Sequence, residues 1–227
     1  MKKTKKIIYA FIFGRQRSIR LKNKNLRKIG GETLIEKSIK VAKKVGKIKK
    51  IYVSSDSRSI IRLAKKKKIN TILRPRSLCK SNSKEIYSWK HAIRYLQKKG
   101  EKFDYFLSLP PTSPLRIKKD IENLIENFLK NKSDITVTVA RTNRNPHFNM
   151  VQKSRNNLIK INKKNFQRFG EFFDLTTVGY IAKPSYILKT RDLFNGKVKS
   201  IEIPRDRAID IDDEYDFKVA KLLHEND

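Results

Sequence analysis

The feature that most constrains this chain is a regular exchange of short strand-like and longer helix-like segments. It begins at residues 7–13, which are apolar at every position. A strand with one wet face alternates in polarity, so an unbroken apolar run reads as a central strand covered on both faces. Thr33-Leu34-Ile35-Glu36 has the spacing of a capping box and opens a helix expected to reach about Val45. Strands are expected at about 51–54, 71–73, 105–109 and 135–139. Helices are expected between them at about 58–67, 86–97 and 121–129. This order predicts an α/β fold: a mostly parallel sheet with helices on both faces.

In such a sheet, ligands bind outside the carboxyl ends of the strands. The loops after the first, second and fourth strands carry Arg15–Asn25, Asp56 and Pro110–Arg116. All three are expected to face one crevice. The rhythm changes near Arg141, and helical periodicity returns only at about 214–224. The stretch from about 141 to 183, with Phe166, Phe169, Phe172 and Phe173, reads either as an inserted arm or as core packing under long loops.

The chain has 227 residues, which suits one domain with room for a sub-domain, and its 38% apolar content suits a packed core. Net charge is +33, from 55 Lys and Arg against 22 Asp and Glu. A surface this basic attracts nucleic acid, acidic membranes or anionic small substrates. It also fits a lysine-rich composition in which runs such as 47–50 and 65–68 are solvated faces. No zinc pattern or RNA-reading motif accompanies the charge, which speaks against a nucleic-acid partner. No stretch approaches the ~18 apolar residues of a membrane span. Cys79 is the one cysteine, so no disulfide forms within one chain, as suits a reducing cytoplasm.

Two segments carry chemistry. The first loop holds Arg15, Arg17, Ser18, Arg20, Lys22 and Lys24 directly after a strand; it is neither a Walker A sequence nor a dinucleotide fingerprint. Arginines grip phosphate oxygens in a fork and lysine adds a point charge, so the loop suits a polyphosphate. Near the end, Asp210 and Asp212 alternate with Ile209 and Ile211. Period two in a strand sends both carboxylates to one side, as an oxygen-ligand site for Mg²⁺ would need. The other reading of this segment is a polar edge strand leading into a helix at Asp213-Glu214. Between the two segments, the prolines of Pro110 to Arg116 make a rigid turn suited to a binding site.

Taken in order, these segments resemble the cytidylyltransferases that activate acidic sugars. The acylneuraminate (nonulosonic acid) enzymes are nearest, and the CMP-Kdo synthetases are more distant. The family's R-x-x-S-x-x-x-x-x-K-N is matched by Arg15, Ser18, Lys24 and Asn25, and its V-S-T-D by Val53 to Asp56. Arg74-Pro75 with Leu78 is similar to its R-P-x-x-L, Pro111 to Arg116 to its P-T-S-P-L-R, and Ile209 to Asp212 to its I-D-I-D. The chain departs from the family at Gln16 and Arg17, where small residues are usual, and at Ile19, where Lys is common. It also has Pro110 in place of Gln and Val178 in place of Asn.

The resemblance implies a single nucleotidyltransferase domain over 1–227. The expected architecture is the three-layer Rossmann-like nucleotide-diphospho-sugar transferase fold, with a dimerisation and substrate arm at about 141–183. It implies CTP and an acidic 2-keto sugar as substrates, CMP-sugar and pyrophosphate as products, and Mg²⁺ as cofactor, in a cytoplasmic homodimer serving surface glycan biosynthesis. Arg15, Lys24 and Asp212 are the expected catalytic residues. Ser18, Arg20, Asn25, Ser55, Asp56 and Arg74 join Arg15 and Lys24 in binding CTP. Pro111, Thr112, Ser113, Arg116, His147 and Gly179 are expected on the sugar side, and Asp210 and Asp212 on the metal. The alternatives are a relative on the same scaffold that has lost or changed its activity, and a basic nucleic-acid-binding protein.

Overall fold

A computed structural model describes residues 6–79, 83–153, 159–161 and 171–225. Residues 1–5 and the arm residues Phe166 and Phe169 lie outside it. In chain order the elements are β1 (Ile8–Phe13), β2 (Lys28–Ile29), β3 (Glu32–Thr33), α1 (Leu34–Lys44), β4 (Ile48–Ser55), α2 (Arg58–Lys66) and β5 (Asn70–Leu73). Next come α3 (Glu85–Lys98), β6 (Tyr105–Ser108), α4 (Lys118–Asn131), β7 (Ile135–Arg141), β8 (Val151–Lys153) and β9 (Ile159–Ile161). The described chain closes with β10 (Phe173–Ala182), α5 (Pro184–Lys189), β11 (Val198–Glu202) and α6 (Glu214–Glu225).

The main sheet has seven strands in the order β11-β7-β10-β6-β1-β4-β5. Every pairing is parallel except those of β10, which runs antiparallel to both β6 and β7. β1 is central and apolar on both faces, as its sequence predicts. Ile8, Ala10 and Ile12 enter one core with Ile35 and Ile39 of α1, Ile60 of α2 and Leu124 of α4. Tyr9, Phe11 and Phe13 enter the other with Trp89 and Ile93 of α3 and Ile187 of α5. These are the three layers expected of the fold.

α1 begins where its capping box places it. Thr33 Oγ1 accepts from the Glu36 amide at 3.2 Å, and the Glu36 carboxylate accepts from the Thr33 amide at 2.9 Å. The run at 65–68 is exposed throughout, as a solvated face should be, whereas 48–50 begin β4 and Lys50 pairs with Glu101.

Two expectations need correction. Residues 208–212 form no strand, because the segment has no sheet neighbour. The Asp216 carboxylate accepts from the amides of Asp212 and Asp213, at 2.9 and 3.1 Å, and turns the chain into α6 instead. The side chains still alternate: Ile211 is fully buried beside Leu21, Leu34 and Phe217, with Ile209 packed against that cluster. Second, the stretch from about 141 to 183 divides. β8 and β9 form a separate two-stranded sheet, whereas β10 runs through the main sheet beside β6. A bulge hides β10 in the sequence. Thr176 pairs with Thr138 and Tyr180 with Val137, so Thr177, Val178 and Gly179 are extruded and break the period of two.

Candidate functional site

A cavity of about 250 Å³ opens at the carboxyl edge of the parallel strands. Phe13 and Arg15 reach it from the end of β1, Lys24 and Asn25 from the short 3₁₀ turn at Lys24–Leu26, and Arg74 from the end of β5. Pro110, Pro111 and Thr112 come from the loop after β6, and Asp210 and Asp212 from the extended segment before α6. The topology therefore gathers both chemistry-bearing segments on one pocket.

The first loop is tied down by residues expected to touch nucleotide. Asn25 is buried, and its Nδ2 donates to the Arg15 carbonyl at 2.9 Å. The Asp56 carboxylate accepts from the Gln16 amide at 2.8 Å, and Ser55 Oγ accepts from the Ser57 amide at 2.9 Å. Ser55 and Asp56 thus shape the loops from behind the cavity lining. Ser18 and Arg20 also stand outside that lining. Arg74 is 6% exposed, and its guanidinium donates to Ser88 Oγ at 2.9 Å.

The groups assigned to phosphate and to metal touch each other. Lys24 Nζ donates to the Ile211 carbonyl at 2.7 Å and to Asp212 Oδ1 at 3.1 Å. Arg20 Nη2 donates to Asp212 Oδ2 at 2.6 Å. Partial burial raises the Asp212 pKa, but the hydrogen bond and charge of Lys24, aided by Arg20, outweigh it and hold the carboxyl below its usual value. Asp210 Oδ1, by contrast, is buried without a hydrogen-bond partner. A buried carboxylate oxygen left unpaired is costly, so it fits an atom meant for a cation. Among the described residues, no group of three or more His, Cys, Asp or Glu side chains gathers to hold a metal. Mg²⁺ does not need one, since one or two carboxylates suffice when substrate phosphates and water complete its shell.

The sugar-side residues separate into three groups. Pro111 and Thr112 line the cavity. Ser113 and Arg116 are buried beneath it: Arg116 Nε donates to the Ser113 carbonyl at 2.8 Å, and its Nη2 donates to the Pro110 carbonyl. Burial pushes the Arg116 pKa down while Asp210 and Asp120 hold it up, and the guanidinium stays charged at neutral pH. Arg116 therefore clamps the proline-rich turn rather than facing the cavity. His147 and Gly179 lie away from the lining. The His147 ring sits 5.7 Å from that of Phe172, in a turn closed by hydrogen bonds to Asn145. A side chain at Gly179 would meet Leu124 of α4 at 2.8 Å, so this glycine faces the apolar layer.

The sequence reading missed Thr177, Glu85 and Ser88, all of which line the cavity. Thr177 projects from the bulge of β10. Its hydroxyl lies 3.0 Å from Thr112 Oγ1 and 2.7 Å from Ser113 Oγ. Thr138 holds the bulge in place, its hydroxyl accepting from the Gly179 amide at 3.1 Å. The threonine pair at 176–177, two residues before Gly179, was the available signal. Glu85 is the first residue of α3 and follows the Arg74-Pro75 segment in sequence.

Comparison with known proteins gives the family and the fold. The sequence model of the family described as "Cytidylyltransferase" matches residues 9–193. The "Post-translational flagellin modification protein B" of Campylobacter coli is 29% identical over 208 residues, covering 89% of this chain and 88% of that protein. The "CMP-N,N'-diacetyllegionaminic acid synthase" of Campylobacter jejuni shows the same identity and coverage. Among solved structures, a CMP:2-keto-3-deoxy-manno-octonic acid synthetase complexed with CTP superposes with a TM-score of 0.74. It covers 97% of this chain and 99% of its own at 12% identity, which shows a shared fold.

Proposed function

The chain belongs to the cytidylyltransferase family, and from that premise we propose that it joins CMP from CTP to an acidic 2-keto sugar of the nonulosonic class. Pyrophosphate is the second product, and the CMP-sugar serves surface glycan biosynthesis. The observation that carries this reading is the single pocket in which Arg15, Lys24 and Asn25 meet Asp210 and Asp212.

The anomeric hydroxyl oxygen attacks the α-phosphorus. An oxygen–phosphorus bond forms, the bond to the α,β-bridging oxygen breaks, pyrophosphate departs with that electron pair, and the proton of the attacking hydroxyl passes to water. The chain's contribution is positioning and charge neutralisation. Arg15 and Lys24 grip the triphosphate, with Arg20 reaching in from the rim, and Asn25 holds the loop that seats the nucleoside. Arg74, buried and fixed on Ser88, presents a rigid cation to the nucleotide. Thr112 and Thr177 offer hydroxyls to the sugar. Asp210 and Asp212 would hold Mg²⁺, which when bound neutralises phosphate charge and lowers the pKa of a coordinated hydroxyl.

We place the enzyme in the cytoplasm as a homodimer. The free thiol of Cys79 suits a reducing compartment. The part-exposed apolar residues Phe173, Leu175 and Phe194, gathered with Val198 around one groove, suit a second subunit. No described helix is long and apolar enough to cross a membrane.

Pyrophosphate release, measured with CTP, Mg²⁺ and a panel of nonulosonic and octulosonic acids, tests the reading. Release with one sugar and CTP, absent with ATP, GTP and UTP, is expected. Silence across the panel together with no stabilisation by CTP would overturn it.

A further inference from the structure

From the contacts of Asp212 we infer that the pocket carries its own stand-in for the metal, so nucleotide binds first and metal second. The inference rests on the CTP reading above. Two cations occupy Asp212. Lys24 takes Oδ1 at 3.1 Å and Arg20 takes Oδ2 at 2.6 Å, so a divalent ion approaching either oxygen meets a cation already in contact with it. The two cations differ in exposure. The Lys24 side chain is only 12% exposed and is also fixed on the Ile211 carbonyl, whereas that of Arg20 is 64% exposed.

A bare carboxylate pair would bind Mg²⁺ without nucleotide. Here an approaching Mg²⁺ meets a neutralised Asp212 and two positive side chains, and like charge at contact distance opposes its entry. A triphosphate reverses this. It offers Arg20 and Lys24 several anionic oxygens, and arginine grips phosphate at least as well as it grips a carboxylate. Drawing Arg20 away uncovers Asp212 in the pocket that Asp210 also lines, at the moment when phosphate oxygens arrive to complete the metal shell. The same two side chains thus keep the empty pocket from filling with metal and report that nucleotide has arrived. Arg20 is the more exposed of the two cations, and its effect on the metal runs through its contact with Asp212.

The test uses Mn²⁺ as probe, with free metal counted by electron paramagnetic resonance in the absence of nucleotide. Arg20→Gln removes the more exposed of the two cations and keeps the fold. It is expected to bind one Mn²⁺ about tenfold more tightly than the native protein, a coupling of ordinary size. That gain should vanish in Arg20→Gln/Asp212→Asn. In parallel, CTP should raise the melting temperature of the native protein in EDTA, more than GTP does, while Mg²⁺ alone should leave it unchanged. Equal Mn²⁺ affinity in the native protein and Arg20→Gln would overturn the inference. So would a gain that survives loss of Asp212, or stabilisation of the native protein by Mg²⁺ alone. If CTP stabilises and Arg20→Gln gains nothing, the ordering falls and the cytidylyltransferase reading stands. If Arg20→Gln gains affinity but CTP fails to stabilise, the metal stand-in survives and the nucleotide reading falls.

Discussion

The backbone amide of Ile211 donates to the carbonyl of Thr112 at 2.8 Å. This one bond joins the proline-rich turn after β6 to the segment that carries both aspartates. Ile211 is fully buried, so its side chain anchors the segment while its amide sets the distance to the turn. The aspartates on either side are then presented to the cavity with no strand to support them.

Asp212→Asn should keep the fold and lose the chemistry. The amide retains the shape but forfeits the charge that would bind Mg²⁺. Pyrophosphate release is expected to drop by about a hundredfold or more. The rise in melting temperature with CTP should persist, because Lys24 and Arg20 remain for the triphosphate. Full activity in a folded variant would show that the metal is held elsewhere.

Thr177→Val removes a hydroxyl that satisfies both Thr112 and Ser113. Ser113 is fully buried, so its hydroxyl would be left without this partner. A loss of about 1–3 kcal/mol in urea unfolding is expected. The Michaelis constant for the sugar should rise more than that for CTP, since Thr177 stands beside the Thr112 turn.

Gly179→Ala separates a structural glycine from a sugar-binding one. A methyl group there meets Leu124 Cδ2 at 2.8 Å, in a core that has little slack. The expected result is a loss of about 1–3 kcal/mol in stability with sugar affinity unchanged. A change in sugar affinity at constant stability would return Gly179 to the binding surface.

Glu36 makes stability depend on acid. Partial burial raises its pKa, but the hydrogen bond to Lys67 and those to Thr33 outweigh it and bring the carboxyl down to about 2 from 4.5. A carboxyl depressed in the folded state adds stability above its unfolded value and loses it as pH falls through the folded value. The difference between the native protein and Glu36→Gln should therefore be constant near neutrality, shrink below about pH 4.5 and vanish near pH 2. Its plateau should be about 2 kcal/mol, reduced from the full linkage value by the exposure of Lys67. Urea midpoints across that pH range would check it.

Much of the fold was legible in local pattern. The apolar run of β1, the capping box of α1 and the proline stop after β6 each carry their cause within a few residues. Period and cap are short-range effects, and here they agree with the global architecture. β10 was not legible, because its bulge breaks the alternation that marks a strand and Thr138, in a different strand, stabilises that bulge. The bulge also turns Gly179 toward Leu124, a contact with no mark in the local sequence.

The sequence by itself determined the kind of site: a cationic loop after a central strand, a rigid turn, and two aspartates spaced for one face. Residue type and spacing suffice for that, because charge and period are properties of the chain. Only the tertiary structure decided which of these groups meet. It set Lys24 and Arg20 against Asp212, left Asp210 Oδ1 unpaired, turned Arg116 inward as a clamp and brought Thr177 to the cavity wall. Contacts between residues far apart in sequence depend on strand order and register, and those are fixed by burying a shared core rather than by any local pattern.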